Sequence, residues 1–247
     1  MIEAPAVPAI APISLAKPAD GELNQLRVHN CSSWKQVQTL LFIKLGFAVE
    51  LQLINNSTSD TNCQTNNPRE TTAPIHSAQS SEIRNMKRQQ SRLSGRIAAA
   101  HAARQFLSRK QDLQPEIVNL PSGQPRFTNL PNLHVSISHS NHMAVACVGR
   151  IPCGIDLECI EPRPAALAKY FFSEKEQLQI QRSSDPLNTL HVLWTRKEAV
   201  SKLFGKGGQL PFKSLAVLPQ ETSAHLTSLQ IGNYILSLAT FPKERSL

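Results

Sequence analysis

The sequence predicts an α+β protein built as two halves that meet near residues 150–153. Bulky apolar residues alternate with small or polar ones in several short runs, the period of a half-buried strand. Elsewhere apolar residues recur every three or four positions, the period of a helix. The break Pro152-Cys153-Gly154 divides the two sets of elements, and no short-period repeat is evident. A chain of 247 residues can bury a substantial core without disulfides.

From the start, Met1 to Asp20 is rich in Ala and Pro, with no basic opening and no continuous apolar core, so it is not expected to be a signal peptide. Thr39 to Ile54 is the most apolar stretch, but Lys44 and Glu50 interrupt it and it falls short of the ~20 residues a membrane span needs. It belongs in a protein core, with Phe47 to Leu53 as a strand. Residues 55–81 lose all periodicity, are dominated by Asn, Ser and Thr, contain Pro68 and Pro74, and read as a mobile insertion without chemistry. Glu82 to Arg109 turns helical, with Leu93, Ile97, Ala100, Ala103 and Leu107 as the expected buried face. On that helix Arg88, Arg92 and Arg96 fall four apart, so they stack along one side as a solvated basic face or as a clamp for phosphate oxygens.

Ser122-Gly123-Gln124-Pro125 is a turn signal. Val135 to Ile137 and Ala144 to Val148 read as a hairpin whose connection, His139-Ser140-Asn141-His142, displays histidines. Beyond the break, Ile155-Asp156-Leu157-Glu158 reads as a strand. Helices follow at Ala165 to Phe171, Ser173 to Ile180 and Leu187 to Phe204, with strands near Leu215 to Leu218 and Tyr234 to Ala239. Ser173 and Glu176 have the spacing of a capping box.

The balance of 26 Lys and Arg against 18 Asp and Glu, a net +8, favours an anionic partner such as a nucleotide, a nucleic acid or an acidic protein. Cys31, Cys63, Cys147, Cys153 and Cys159 are odd in number and lack paired zinc-site spacing, so they read as reduced thiols, and a cytoplasmic location is the default expectation.

Residues two apart on a strand share a face, so Asp156 and Glu158 present two carboxylates together while Ile155 and Leu157 face the core. Two acids this close either form a solvent-facing acidic edge or hold a cation between them. Magnesium suits the second case because it accepts a few carboxylates and completes its shell with water and phosphate. On the last helix Trp194, Glu198 and Lys202 share a face, which offers a third carboxylate and a cation for a bound phosphate, or else an ordinary Glu-to-Lys pair.

Taken in order, Gly154-Ile155-Asp156-Leu157-Glu158, Phe171-Phe172-Ser173-x-x-Glu176 and Trp194-x-x-Lys197-Glu198-Ala199-Val200-x-Lys202 resemble the signature of the 4′-phosphopantetheinyl transferases. Val135-Ser136-Ile137-Ser138-His139-Ser140 is similar to that family's S-x-S-H strand end, and Gly123-Gln124-Pro125 to the turn before it. Gly205-Lys206-Gly207 with Leu210-Pro211 is similar to the segment after its catalytic helix. Leu93-Ser94-Gly95-Arg96-Ile97-Ala98-Ala99 resembles the enterobactin synthetase component D type, and the length resembles the larger surfactin-synthetase-activating type. The likeness covers roughly residues 84–218 and excludes the short trimeric synthases.

The resemblance implies two similar α+β halves related by a pseudo-twofold with the active site between them: residues 1–149 on the coenzyme A side and 150–247 carrying the metal site and catalytic helix. It implies transfer of phosphopantetheine from coenzyme A to a serine of an apo acyl or peptidyl carrier protein of nonribosomal peptide, polyketide or siderophore synthesis, releasing adenosine 3′,5′-bisphosphate. Asp156, Glu158 and Glu198 would hold Mg²⁺, or Mn²⁺ in its place; Lys202 would neutralise phosphate charge; Ser138 and His139 would contact the coenzyme A phosphates. Arg88, Arg92 or Arg96 would hold the 3′-phosphate, and Glu198 or a water on the metal would take the serine proton. The family often has Lys before the proline of the early turn; here Gln124 precedes Pro125, and Arg126 is the available substitute. The resemblance further implies a monomer, with no nucleic-acid partner and no membrane span. The competing readings are a magnesium-dependent phosphodiesterase or nuclease, for which D-x-E with a further Glu and Lys also serves, and a non-catalytic basic binding module.

Overall fold

The computed structural model describes residues 28–31, 33–53, 76–108, 113–164, 166–207, 210–219 and 221–241. Its elements are β1 (Val28–Cys31), α1 (Trp34–Leu45), β2 (Ala48–Leu53), α2 (His76–Phe106), β3 (Ile117–Asn119), β4 (Pro125–Phe127), β5 (His134–Ser140), β6 (Met143–Gly149), β7 (Cys153–Cys159), α3 (Ala166–Phe171), α4 (Glu174–Arg182), α5 (Pro186–Leu203), β8 (His225–Ile231) and β9 (Tyr234–Thr240). This is the expected α+β class.

The order β2-β6-β5 makes an antiparallel sheet on which α2 packs. The order β1-β8-β9-β7 makes a second sheet, antiparallel except where β1 runs parallel to β8, and α5 packs on its β7 and β9. An early segment of the chain thus joins the sheet made by its end. The small hairpin β3–β4 closes through the Gly123 turn, where φ is +85° and the Gly123 amide donates to the Leu120 carbonyl at 2.8 Å. Between the two sheets Val49, Val145, Ile155, Leu157, Leu236 and Leu238 form a common core.

β5 and β7 lie side by side without sharing a ladder; serine hydroxyls join them instead. Ser136, Ser138 and Ser140 share one face of β5 by the strand period. Ser136 Oγ accepts from the Ile155 amide at 3.0 Å, Ser138 Oγ donates to Asp156 Oδ1 at 2.7 Å, and Ser140 Oγ accepts from the Cys159 amide at 3.0 Å. The S-x-S-x-S pattern is therefore the seam between the two sheets.

Helix α2 departs from expectation in extent and in facing. It begins at His76, so residues 76–81 belong to the helix and not to the loop; the rest of the expected insertion lies outside the described residues, as do Met1 to Asp20 and Cys63. The helix ends at Phe106, before Arg109. Its buried face is Ser94, Gly95, Ala98, Ala99, Ala102 and Ala103, while Leu93 is 60% exposed. Close approach explains the rotation: a Cβ on Gly95 would lie 2.6 Å from Ile137 Cγ2, so only the small-residue stripe fits against the sheet. The expected long histidine connection is shorter as well. His139 and Ser140 belong to β5, leaving Asn141-His142 as the turn, with Asn141 at φ +50°.

In the C-terminal half, Leu215 to Leu218 is not a strand. Its segment wraps Lys197, whose buried Nζ donates to the Phe212 and Leu215 carbonyls at 2.6 Å each and pairs with Glu176 Oε2 at 2.9 Å. The strand that the pattern missed is β8. Its Ser228 turns inward to meet Ser237 at 3.0 Å and Arg196 Nε at 2.8 Å, so a buried polar network stands where alternation would show an apolar residue.

The capping box forms as expected: the Glu176 amide donates to Ser173 Oγ at 3.3 Å and the Ser173 amide to Glu176 Oε2 at 2.8 Å. Ser173→Ala is expected to cost about 1 kcal/mol, read as a lowered unfolding midpoint, with the Glu176–Lys197 pair retained. Cys147, Cys153 and Cys159 are free and buried. No helix among the described residues is long and apolar enough to cross a membrane.

Candidate active site

The site forms where α5 crosses β7. A Cβ at Gly154 would fall 1.9 Å from the Ala199 carbonyl oxygen and 2.5 Å from the Leu203 nitrogen, so the missing side chain lets the two backbones touch. That contact carries Glu198 and Lys202 to the strand that bears Asp156 and Glu158. Ile155 and Leu157 are fully buried on the other face, as their alternation predicts.

Asp156 is 3% exposed. Its Oδ1 accepts from Ser138 Oγ and from Lys202 Nζ, each at 2.7 Å, and Lys202 Nζ also donates to the Ile155 carbonyl at 3.1 Å. Its Oδ2 is buried with no hydrogen-bond partner, an uncommon state for a carboxylate oxygen and one that a ligand would relieve. Glu158 Oε2 accepts from Ser140 Oγ at 3.3 Å and from Arg163 Nη2 at 2.9 Å. Burial raises the Glu158 carboxyl, and Asp156 adds to this, while Arg163 and Ser140 oppose it. Glu198 is pushed up to about 7, chiefly by burial and then by Asp156, with Lys202 pulling against them and Glu158 adding a little. Three carboxylates thus share one field.

Among the described residues no group of three or more His, Cys, Asp or Glu side chains is arranged to hold a metal ion by itself. Asp156 Oδ2, Glu158 and Glu198 are the donors that a hard cation could use, and water or substrate oxygens would have to complete its shell.

The other candidates divide. His139 lies at the end of β5, where partial burial of its ring and then Lys202 lower its pKa, which favours the neutral imidazole. Arg88 and Arg92 are both exposed, and Arg92 lies within electrostatic reach of His139. Arg96 is turned elsewhere: its guanidinium donates to the Ile117 carbonyl at 2.6 Å and ties α2 to β3. Gln124 and Pro125 line a cavity of about 160 Å³ with Ser136, Ile137, Lys202 and Gly205. A second cavity of about 240 Å³ shares Gln124 and Pro125 and adds Arg126, His134 and Cys153.

Some participants were not singled out from sequence. Ser136 and Ser140 follow from the same period as Ser138 and could have been found by it. Arg163 gave no signal, since Glu161-Pro162-Arg163-Pro164 reads as an ordinary loop. Its guanidinium lies 5.6 Å over the Trp194 ring, which meets Phe171 and Phe212 edge-on at 5.2 and 5.3 Å.

Residues 152–241 match the model of the 4′-phosphopantetheinyl transferase superfamily. A 4′-phosphopantetheinyl transferase of Bacillus subtilis is 38% identical over 97 residues, 38% of this chain and 43% of the relative. The 4′-phosphopantetheinyl transferase Sfp of Bacillus subtilis (strain 168) is 32% identical over 119 residues, 46% of this chain and 53% of the relative. The match thus spans about half the length of these relatives. The 4′-phosphopantetheinyl transferase AcpT of Salmonella typhimurium is 34% identical over 150 residues, 59% of this chain and 77% of the relative. The strands and helix that gather Asp156, Glu158, Glu198 and Lys202 fall within the matched segment, and the chain belongs to the 4′-phosphopantetheinyl transferase superfamily.

Proposed function

We propose that this protein transfers 4′-phosphopantetheine from coenzyme A to a serine hydroxyl of an apo acyl or peptidyl carrier protein, with residues 1–149 chiefly on the coenzyme A side and 150–247 supplying the metal site and catalytic helix. The observation that carries this reading is the bare, buried Oδ2 of Asp156 beside Lys202, Glu158 and Glu198, in a chain of this family. Membership of the superfamily favours transfer over a nuclease or a passive basic module.

Asp156, Glu158 and Glu198 would hold magnesium, or manganese, which supplies charge stabilisation to the pyrophosphate oxygens. Lys202, fixed by Asp156 and the Ile155 carbonyl, faces the cavity shared with Gln124 and Pro125 and adds a positive charge there. Neutral His139, with Arg92 within electrostatic reach of it, would bind coenzyme A phosphates. In the reaction the serine oxygen forms a bond to the β-phosphorus, the bond to the adenosine bisphosphate oxygen breaks, and the serine proton needs an acceptor. Glu198, or a water held by the cation, would take it.

Incubation with coenzyme A, Mg²⁺ and several apo carrier proteins should add one phosphopantetheine mass to at least one carrier, and chelation of the cation should stop it. Absence of any gain together with cleavage of DNA would overturn the reading.

A further inference from the structure

The two carboxylates of β7 are held by the same device. Asp156 receives a β5 serine and a cation on a single oxygen, from Ser138 and Lys202, and keeps Oδ2 bare. One strand period on, Glu158 also receives a β5 serine and a cation on a single oxygen, from Ser140 and Arg163 on Oε2, which leaves Oε1 outside both bonds. We propose that Arg163 is a positioning residue, the counterpart of Lys202, which locks Glu158 so that its other oxygen is offered to the cation; this rests on reading the three carboxylates as a magnesium site.

The surroundings of Arg163 fix it in place. Pro162 and Pro164 flank it, and a residue between two prolines has few backbone states to lose. The backbone just before it is tied down: the Glu161 amide donates to His191 Nε2 at 3.3 Å, and the Ile160 amide donates to the Asn233 carbonyl at 2.8 Å. His191 is fully buried, and its Nδ1 lies 2.8 Å from the Leu187 carbonyl, which requires the proton on Nδ1 and leaves Nε2 as acceptor. The guanidinium then spans from that imidazole, 3.5 Å from Arg163 Nε, across the Trp194 face to Glu158. A planar fork can reach the imidazole and the carboxylate from separate nitrogens while its face lies over Trp194, whereas the donors of an ammonium all radiate from one atom. A guanidinium serving only to neutralise charge would need none of this support.

The test is Mn²⁺ binding to the full chain, followed through the electron paramagnetic resonance of free Mn²⁺, with and without coenzyme A. Removing a group that orients a metal ligand is expected to weaken binding by about tenfold in Arg163→Ala, with Arg163→Lys intermediate, because charge returns without the fork. Binding by Arg163→Ala as tight as wild type, or tighter, would show the guanidinium to be a bystander or a competing cation and would overturn the proposal while leaving the metal site standing. No Mn²⁺ binding by the wild type in either condition would overturn both. If Arg163→Ala does not fold, Arg163→Lys decides alone, since unchanged affinity in that variant removes the need for a fork.

Discussion

Asp156→Ala is expected to abolish phosphopantetheine transfer, by on the order of 10³-fold or more at fixed Mg²⁺, with the carrier mass assay as the measurement. Asp156 does three things at once: it anchors Lys202, closes the seam to Ser138, and presents the unpartnered Oδ2. Alanine removes all three. Asp156→Asn separates them, because an amide of the same shape can still meet Ser138 but offers a hard cation a poor ligand and Lys202 no counter-charge. Equal loss in both variants would assign the effect to the carboxylate's charge. Retained transfer in either variant at unchanged Mg²⁺ concentration would refute the ligand assignment. Both substitutions also withdraw the charge that most disfavours ionisation of Glu198 after burial itself, so the Glu198 carboxyl should titrate lower in them.

Much of this site was legible because its residues obey short periods. Asp156 and Glu158 are two apart on a strand, Glu198 and Lys202 four apart on a helix, and both periods survive in the fold. The contact between strand and helix depends on a missing side chain at Gly154, which a sequence shows only as a glycine near a break. Larger apolar residues misled where small ones did the packing: Leu93 drew the expected face of α2, whereas alanines and Gly95 make the contact. Polar residues misled in the opposite sense, since Ser228, Ser237, Thr195 and Arg196 are buried together and erase the alternation of β8. The apolar run Leu215 to Leu218 mimics a strand but serves to cover Lys197, whose pairing with Glu176 joins α4 to α5. Arg163 stayed hidden because its partners come from β7 and α5, which no local window contains together.

Glu198→Gln is expected to make the protein more stable and less active, both at alkaline pH. In the native protein the Glu198 carboxyl titrates at about 7, against 4.5 for the unperturbed group. Between those values the folded chain holds a proton that the unfolded chain has released, so stability falls as pH rises through this window and the full penalty is present above pH 7. That displacement corresponds to a penalty on the order of 3 kcal/mol. Glutamine keeps the shape and cannot ionise, so in a chelating buffer Glu198→Gln should gain up to about that amount at pH 8 and almost nothing at pH 4.5, seen as a midpoint several degrees higher only at the upper pH. Transfer should fall by about 10²-fold or more, because the variant lacks both a ligand oxygen with charge and a proton acceptor. Opposite signs for stability and activity are what a residue held for function predicts, since a residue held for packing would lose both. Added Mg²⁺ should raise the wild type's midpoint at pH 8 and leave the variant's nearly unmoved, because ionised carboxylates cost less beside a cation. A variant no more stable than wild type at pH 8, measured without divalent ions, would mean that Glu198 is not the strained acid of this cluster.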